Sequence, residues 1–291
     1  MLKLLAIVML IVLGAARPAY AIAYGETAED GRYAFSTRLT MTGIPTEENG
    51  TRDSWCSGAL IAPRWVITAG HCFRDAAGRH VSRTVADRTT ATVGGQEIEV
   101  VAVVQAGGAD VALARLAAEV TGVTPLRVGD TAPAEGEQVR LTGFGFADDQ
   151  GTVPARMQTG QFVIDQVGEQ LLQISGRAPR RATSACLHDS GGPYFRERRG
   201  GAPELVAVVS GGPACPHEGP DSSARTDTLA GWITATVTAA PGPDVPLIVV
   251  VAALGLLIVA GVVTGVRRWT APAPGPRRGR HAGRVPQRTA V

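Results

Sequence analysis

Apolar residues are distributed along this chain in three different ways. Leu4 to Gly14 form one apolar run near the start, and Leu247 to Val266 form a second, without a charge, near the end. Between them the apolar residues come in short groups. Trp65 to Thr68, Glu97 to Val104, Val139 to Thr142, Gln170 to Ile174 and Glu204 to Val209 are β-branched or apolar and bounded by Gly, Pro or Asp, which predicts strands. Glu97 and Glu99 alternate with Ile98 and Val100, the pattern of a strand with one solvated face rather than of a calcium site. One segment, Asp227 to Ala240, has helical spacing, with Leu229, Trp232, Ile233 and Val237 near one face and Asp227 placed to cap it. Short strands separated by turn signals predict an all-β sandwich or barrel.

The two apolar blocks read as membrane chemistry. Met1-Leu2-Lys3 is a short cationic start, the run after it is too short to span a bilayer, and Ala19-Tyr20-Ala21 has the small-x-small form of a signal-peptidase site. Residues 1–21 are thus expected to be a signal peptide, the alternative being an uncleaved anchor. Residues 247–266 cover about 30 Å as a helix, the thickness of the hydrocarbon core, and predict a transmembrane helix. Residues 241–246 form a Pro-rich linker before it. The tail, 267–291, carries seven Arg and no acid, so the positive-inside rule places it in the cytoplasm and residues 22–246 outside the cell.

Composition sharpens this picture. With 19% charged residues, 36 Gly and 19 Pro, the chain is neither a long coiled coil nor a disordered charged segment. Its net charge of +2 averages unlike parts: residues 22–246 hold 19 Arg against 26 Asp and Glu, about −7, which argues against nucleic acid as a partner. Cys56, Cys72, Cys186 and Cys215 lie in the exported part, where disulfides persist, and allow three pairings. No Cys-x-x-Cys pair favours a metal site.

Three local groups carry chemistry. Thr68-Ala69-Gly70-His71-Cys72 follows an apolar strand, Asp110 precedes the run Val111-Ala112-Leu113, and Asp189-Ser190-Gly191-Gly192-Pro193 sets a serine among glycines. A serine hydroxyl is a poor nucleophile until a base takes its proton, and an imidazole base needs a carboxylate to fix its tautomer. His71, Asp110 and Ser190 supply these parts in that order.

These residues resemble the trypsin-like, or chymotrypsin-fold, serine peptidases. The likeness extends to Gly143-Phe144-Gly145, Val209-Ser210-Gly211-Gly212 and Gly231-Trp232-Ile233, and covers about residues 22–240. A Gly-x-Ser-x-Gly elbow of other hydrolases is missing, since His188 stands at its first glycine. The resemblance implies two antiparallel six-stranded β-barrels with the active site between them, joined near 122–136, and a C-terminal helix before the transmembrane one. It implies a His71-Asp110-Ser190 triad, disulfides Cys56–Cys72 and Cys186–Cys215, an oxyanion hole from the N–H groups of His188 and Ser190, and Ser210 beside the aspartate. Its substrates are proteins or peptides, and it uses no cofactor.

His188 departs from the family, which has glycine there. A side chain at this position is expected to oppose the backbone conformation that presents the N–H, which keeps open the alternative of a catalytically weak or inactive module used for extracellular binding. In the implied specificity pocket, with Ser210 and Gly212 on one wall, Ser184 stands where trypsin-like members place the aspartate that selects Lys and Arg. The default is then an apolar or small preference. Aligning Pro220-Asp221 with the opposite wall puts Asp221 near the pocket base and favours a basic side chain; the alternative is a solvated loop aspartate. Finally, Ile22-Ala23-Tyr24-Gly25 resembles the start of the mature family chain. Cleavage after Ala21 frees an Ile22 amine to pair with Asp189, so that export itself activates the enzyme.

Overall fold

The computed structural model describes residues 22–46, 48–74, 82, 85–198 and 200–239. The expected signal peptide, linker, transmembrane helix and tail lie outside them, and among the described residues no helix is long and apolar enough to cross a membrane. The chain starts with a two-residue strand, β1 (Glu26–Thr27), then builds β2 (Ser36–Pro45), β3 (Thr51–Ala62), β4 (Trp65–Thr68), β5 (Arg88–Val93), β6 (Gln96–Gln105) and β7 (Ala112–Leu116). The last six close into a barrel in the order β2-β3-β4-β7-β6-β5. Closure leaves no free sheet edge.

The alternation seen in the sequence decides which way each strand faces. On β6 Glu97 and Glu99 are exposed while Val100 is buried, and Glu97 meets Arg88 on the neighbouring strand at 3.4 Å. Gly94 and Gly95, both at positive φ, turn β5 into β6, as a two-residue hairpin loop requires. Leu39, Met41, Leu60, Ile67 and Leu113 fill the interior.

A second ring follows: β8 (Arg127–Val128), β9 (Gln138–Gly143), β10 (Gln158–Val167), β11 (Leu171–Ala178), β12 (Pro193–Arg196), β13 (Glu204–Gly211) and β14 (Pro220–Arg225). Antiparallel pairing runs β10-β11-β14-β13-β12-β9 and returns to β10, giving a second six-stranded barrel; β1 adds to β10, and β8 lies parallel to β13. Phe162, Ile164, Leu172, Ile174 and Tyr194 fill it. Between the barrels Leu126 is buried, with its N–H on the Leu60 carbonyl at 2.8 Å. Phe35 meets Phe195 edge-on at 5.3 Å.

The five strands expected from sequence lie on β4, β6, β9, β11 and β13, with ends moved by a few residues. The expected helix is shorter. Asp227–Leu229 is a 3-10 turn and the α-helix, α1, is Ala230–Thr238. Asp227 does not cap it, because both carboxylate oxygens are taken by the Arg225 guanidinium at 2.9 and 2.7 Å.

Candidate active site

His71 and Asp110 are brought together by neighbouring strands. β4 pairs with β7 so that Thr68 faces Ala112; the chain then turns at Gly70–Phe73, carrying His71, while Asp110 lies just before β7. Asp110 Oδ2 meets His71 Nδ1 at 2.7 Å and Oδ1 accepts the His71 backbone N–H at 2.8 Å. Gly70 lacks a Cβ that would press on the Asp110 carboxylate. Ser210, from β13 of the other barrel, donates to Asp110 Oδ2 at 2.6 Å. Burial pushes the Asp110 carboxyl up, but the hydrogen bonds from His71 and Ser210 outweigh it and hold it down at about 2.

The serine loop is fastened to the first barrel. Ser57 on β3 donates its N–H to the Ser190 carbonyl (2.9 Å) and its hydroxyl to the His188 carbonyl (3.1 Å), and accepts the Phe144 N–H (2.9 Å). Gly191, at φ +80°, packs so closely that a Cβ would collide with Thr68 and with the Ser57 carbonyl. These contacts set Ser190 beside the turn that bears His71. Among the described residues Ser190 Oγ and His71 Nε2 share no hydrogen bond, and such bonds commonly tighten only when substrate binds.

Within residues 188–192, the N–H groups of Asp189, Gly191 and Gly192 donate to Cys186, Val209 and Asp189 carbonyls. Those of His188 and Ser190 have no partner among the described residues, leaving two donors for a developing oxyanion. His188 adopts φ +74°, the left-handed conformation that glycine takes easily. Its side chain does not turn the loop away from that conformation. It stacks on Trp55 at 3.7 Å and bonds the Trp55 carbonyl through Nδ1 at 2.7 Å. Burial, with the charges of Arg38 and Arg52, pushes the His188 imidazole below its ordinary value.

Asp189 is fully buried, and its carboxylate takes the N–H groups of Gly145 (2.8 Å), Cys186 (2.9 Å) and Ile22. A Cβ on Gly143 or Gly145 would collide with it. Burial raises this carboxyl to about 7 despite those donors. Ile22 and Ala23 are buried as well, and Ala23 bridges to Ser184.

Beside Ser190 opens a cavity of about 530 Å³, walled by Ala185, Val209, Gly212 and Cys215, with Asp221 among its lining residues. Asp221 is 2% exposed. It is therefore not the solvated aspartate that the sequence also allowed. Ser184 is buried too, its hydroxyl accepting the His217 N–H at 3.3 Å. Both expected disulfides are formed: Cys56–Cys72 spans the histidine turn with Cα atoms 6.4 Å apart, and Cys186–Cys215 links the two cavity walls at 5.2 Å.

A family model described as Trypsin matches residues 22–233. The chain belongs to the trypsin family. Among trypsin-family proteins, Serine protease 56 of Mus musculus is 24% identical over 248 residues, covering 76% of this chain and 39% of that protein. Transmembrane protease serine 9 of Rattus norvegicus is 29% identical over 208 residues, 62% of this chain and 19% of its own length. The chain thus spans under half of either relative. Trypsin of Sarcophaga bullata is 26% identical over 233 residues, 71% of this chain and 89% of that protein. A solved structure titled "Structure of GrC" shares the fold at TM-score 0.61 and 17% identity, covering 75% of this chain and 100% of that one.

Three side chains of this trypsin-family site escaped the sequence reading. Ser57 adjoins Cys56, and only barrel closure reveals that it spans to the serine loop. Trp55, one residue earlier, stacks on His188 from the other barrel. His217 sits in a loop after Cys215 with no motif around it, yet its Nε2 lies 3.0 Å from Asp221 Oδ1.

Proposed function

We propose that this chain is an exported, membrane-anchored serine endopeptidase that hydrolyses peptide bonds through an acyl-enzyme. The observation that carries this reading is the His71 imidazole, gripped at Nδ1 by Asp110 at 2.7 Å, next to a serine loop with two unpaired N–H groups. Ser190 Oγ attacks the scissile carbonyl while His71 Nε2 takes its proton. The C–N bond then breaks as that proton passes to the leaving amine, and water repeats the sequence to release the acid. Asp110 keeps the Nδ1–H tautomer and balances the imidazolium. The N–H groups of His188 and Ser190 receive the oxyanion, each worth about 3–4 kcal/mol in such sites.

The Ile22 amine, freed by cleavage after Ala21, pairs with Asp189 and orders the serine loop. Residues 247–266 hold the peptidase domain at the outer membrane face with the tail 267–291 in the cytoplasm. Ser184, Ser210, Gly212 and Asp221 shape the specificity pocket, whose substrates are proteins or peptides.

A fluorophosphonate probe tests the catalytic reading: processed protein should be labelled and Ser190→Ala should not. A folded chain starting at Ile22 that takes up no probe would instead support the binding-module alternative. Tags at either end tested by protease treatment of intact cells check the topology, and a C-terminal tag digested from outside would reverse it.

A further inference from the structure

Strand pairing gathers Arg38, Trp55 and Ser57 on the outer face of the first barrel. Arg38 on β2 faces Ser57 on β3, and Thr40 faces Trp55. Leu39 and Met41 turn into the interior, so alternation sends the residues between them, and their partners on β3, outward together. The Arg38 guanidinium carbon lies 4.7 Å from the Trp55 ring centroid. Arg38 is half-buried, its Nε is buried without a hydrogen-bond partner, and burial pushes the guanidinium below its ordinary value. Arg52 is exposed near the start of β3. Among the described residues neither guanidinium meets a carboxylate. Asp53, beside Arg52 in sequence, accepts the Gly43 N–H at 3.0 Å instead.

Both charges bear on the oxyanion loop. After burial, it is Arg38 and Arg52 that hold the His188 imidazole down, and that ring is stacked on Trp55. Where they lie along a substrate follows from the triad. His71 Nε2 passes its proton to the leaving amine, so the departing segment runs past the histidine turn. Cys72, next to His71, is joined to Cys56, and Trp55 adjoins Cys56. Arg74, after the same turn, is already 3.9 Å from Asp110. The acyl half of the substrate lies the other way, towards the cavity whose lining includes Asp148, Asp149 and Asp221. The cleft is thus acidic on its acyl side, while Arg38 and Arg52 stand uncompensated on the leaving side.

We propose that Arg38, supported by Arg52, is a specificity site for an Asp or Glu side chain within about three residues after the scissile bond, a span of about 10 Å of extended chain. This rests on the peptidase reading and names its substrate class: chains with an acid just beyond the cleaved bond. The carboxylate supplies the acceptor that the fold withholds from the Arg38 fork, and charge-assisted bonds of this kind are about twice as strong as neutral ones. Trp55 already holds the guanidinium, so little freedom is lost when the acid arrives. Gln at the same place brings one oxygen and no charge, and Lys is repelled. An acid before the scissile bond faces Asp148 and Asp149 instead, so the charge pattern also fixes which way the substrate reads.

The test digests a mixture of random peptides, amidated at the C-terminus so that only side chains supply carboxylates, with the processed chain. Mass spectrometry of the products should show Asp and Glu enriched over Asn and Gln at one of the positions just after the cleaved bond. Matched peptides with Glu or Gln at that position should differ in kcat/KM by at least about fivefold at low salt, and by less in about 0.5 M NaCl. Arg38→Met keeps an apolar stem against Trp55 and should bring the ratio close to one, while Arg38→Glu should make Lys a better residue than Gln there. Each ratio is taken within one variant, so a general loss of activity cancels. Should the Arg38 variants fail to fold, Arg52→Gln, at an exposed position, serves instead and should lower the ratio in part. Equal rates for Glu and Gln in the parent, a ratio that survives Arg38→Met, or, where only Arg52→Gln folds, a ratio that it leaves unchanged would each overturn the proposal. Fluorophosphonate labelling separates the two readings: a labelled chain indifferent to Glu sinks the acid site alone, whereas a chain that takes up no probe sinks both.

Discussion

The His188 imidazole lies flat on the Trp55 indole, with ring centroids 3.7 Å apart and planes 15° from parallel. Phe146 meets the same imidazole edge-on at 4.7 Å, and Arg38 sits over the Trp55 ring. A left-handed backbone at a residue other than glycine costs about 1–3 kcal/mol. An aromatic stack contributes about 0.5–1.5 kcal/mol and a hydrogen bond such as that to the Trp55 carbonyl about 1 kcal/mol. The side chain thus offsets the cost that it introduces. Trp55→Ala should lower kcat about tenfold or more with little change in KM, because the His188 N–H loses its aim. His188→Gly in the same chain should restore most of the loss. A double variant as slow as Trp55→Ala alone would show that Trp55 acts only on stability.

Asp110 stays ionised far into acid, since His71 and Ser210 hold its carboxyl at about 2 against an ordinary 3.8. A depressed folded value means stability that is fully present above about pH 4 and lost as pH falls towards about 2. Urea unfolding of the parent and Asp110→Asn should converge as pH falls to about 2. At neutral pH Asp110→Asn should cost about 10⁴ in kcat, since the amide no longer enforces the Nδ1–H tautomer.

Local pattern was enough to find the strands, because a strand half-buried in a barrel must alternate and β6 does so residue by residue. The motifs point to His71, Asp110 and Ser190, since each is set by a turn a few residues long. What escaped depends on contacts across the fold. Ser57 and His188 are 131 residues apart and meet only when the barrels pack. Asp227 has a cap's place in the sequence, but the preceding Arg225 competes for both its oxygens. His188 was expected to oppose its glycine-like conformation, and the compensating Trp55 lies 133 residues away.

On the second barrel Glu204 is 1% exposed and gathers Arg127, Arg196 and Arg198 around one carboxylate. Arg196 is itself buried and among the described residues has Glu137, at 2.7 Å, as its further acidic partner. Removing the Glu204 charge leaves buried Arg196 with Glu137 and lets the half-exposed Arg127 and Arg198 turn to solvent. Glu204→Gln should therefore destabilise the domain by about 1–3 kcal/mol, measured by urea unfolding. Fluorophosphonate labelling of the protein that remains folded should not change. A loss below about 1 kcal/mol would place the network with ordinary surface pairs.

The proposed start of the processed chain at Ile22 makes the most specific prediction for stability. Asp189 is fully buried and its carboxyl is raised to about 7, so in a chain still joined at residue 21 its ionisation works against folding. The sign follows: relative stability is greatest below about pH 4, declines as pH rises, and is lost by about pH 7, where the native carboxyl must also ionise. A free Ile22 ammonium beside it supplies the cation and reverses the penalty. Ile22 also carries φ +62°, a poor conformation for a β-branched residue because its side chain crowds the preceding carbonyl. Cutting the bond before Ile22 removes that carbonyl. A chain beginning at Ile22 should thus be more stable than one beginning at Ala21, with a gap that widens from about pH 4 to about pH 7 and closes again as the amine deprotonates. Acetylating the Ile22 amine should erase the gap and the fluorophosphonate reactivity together. Equal melting of the two forms at neutral pH would remove the amine from any role in ordering the serine loop.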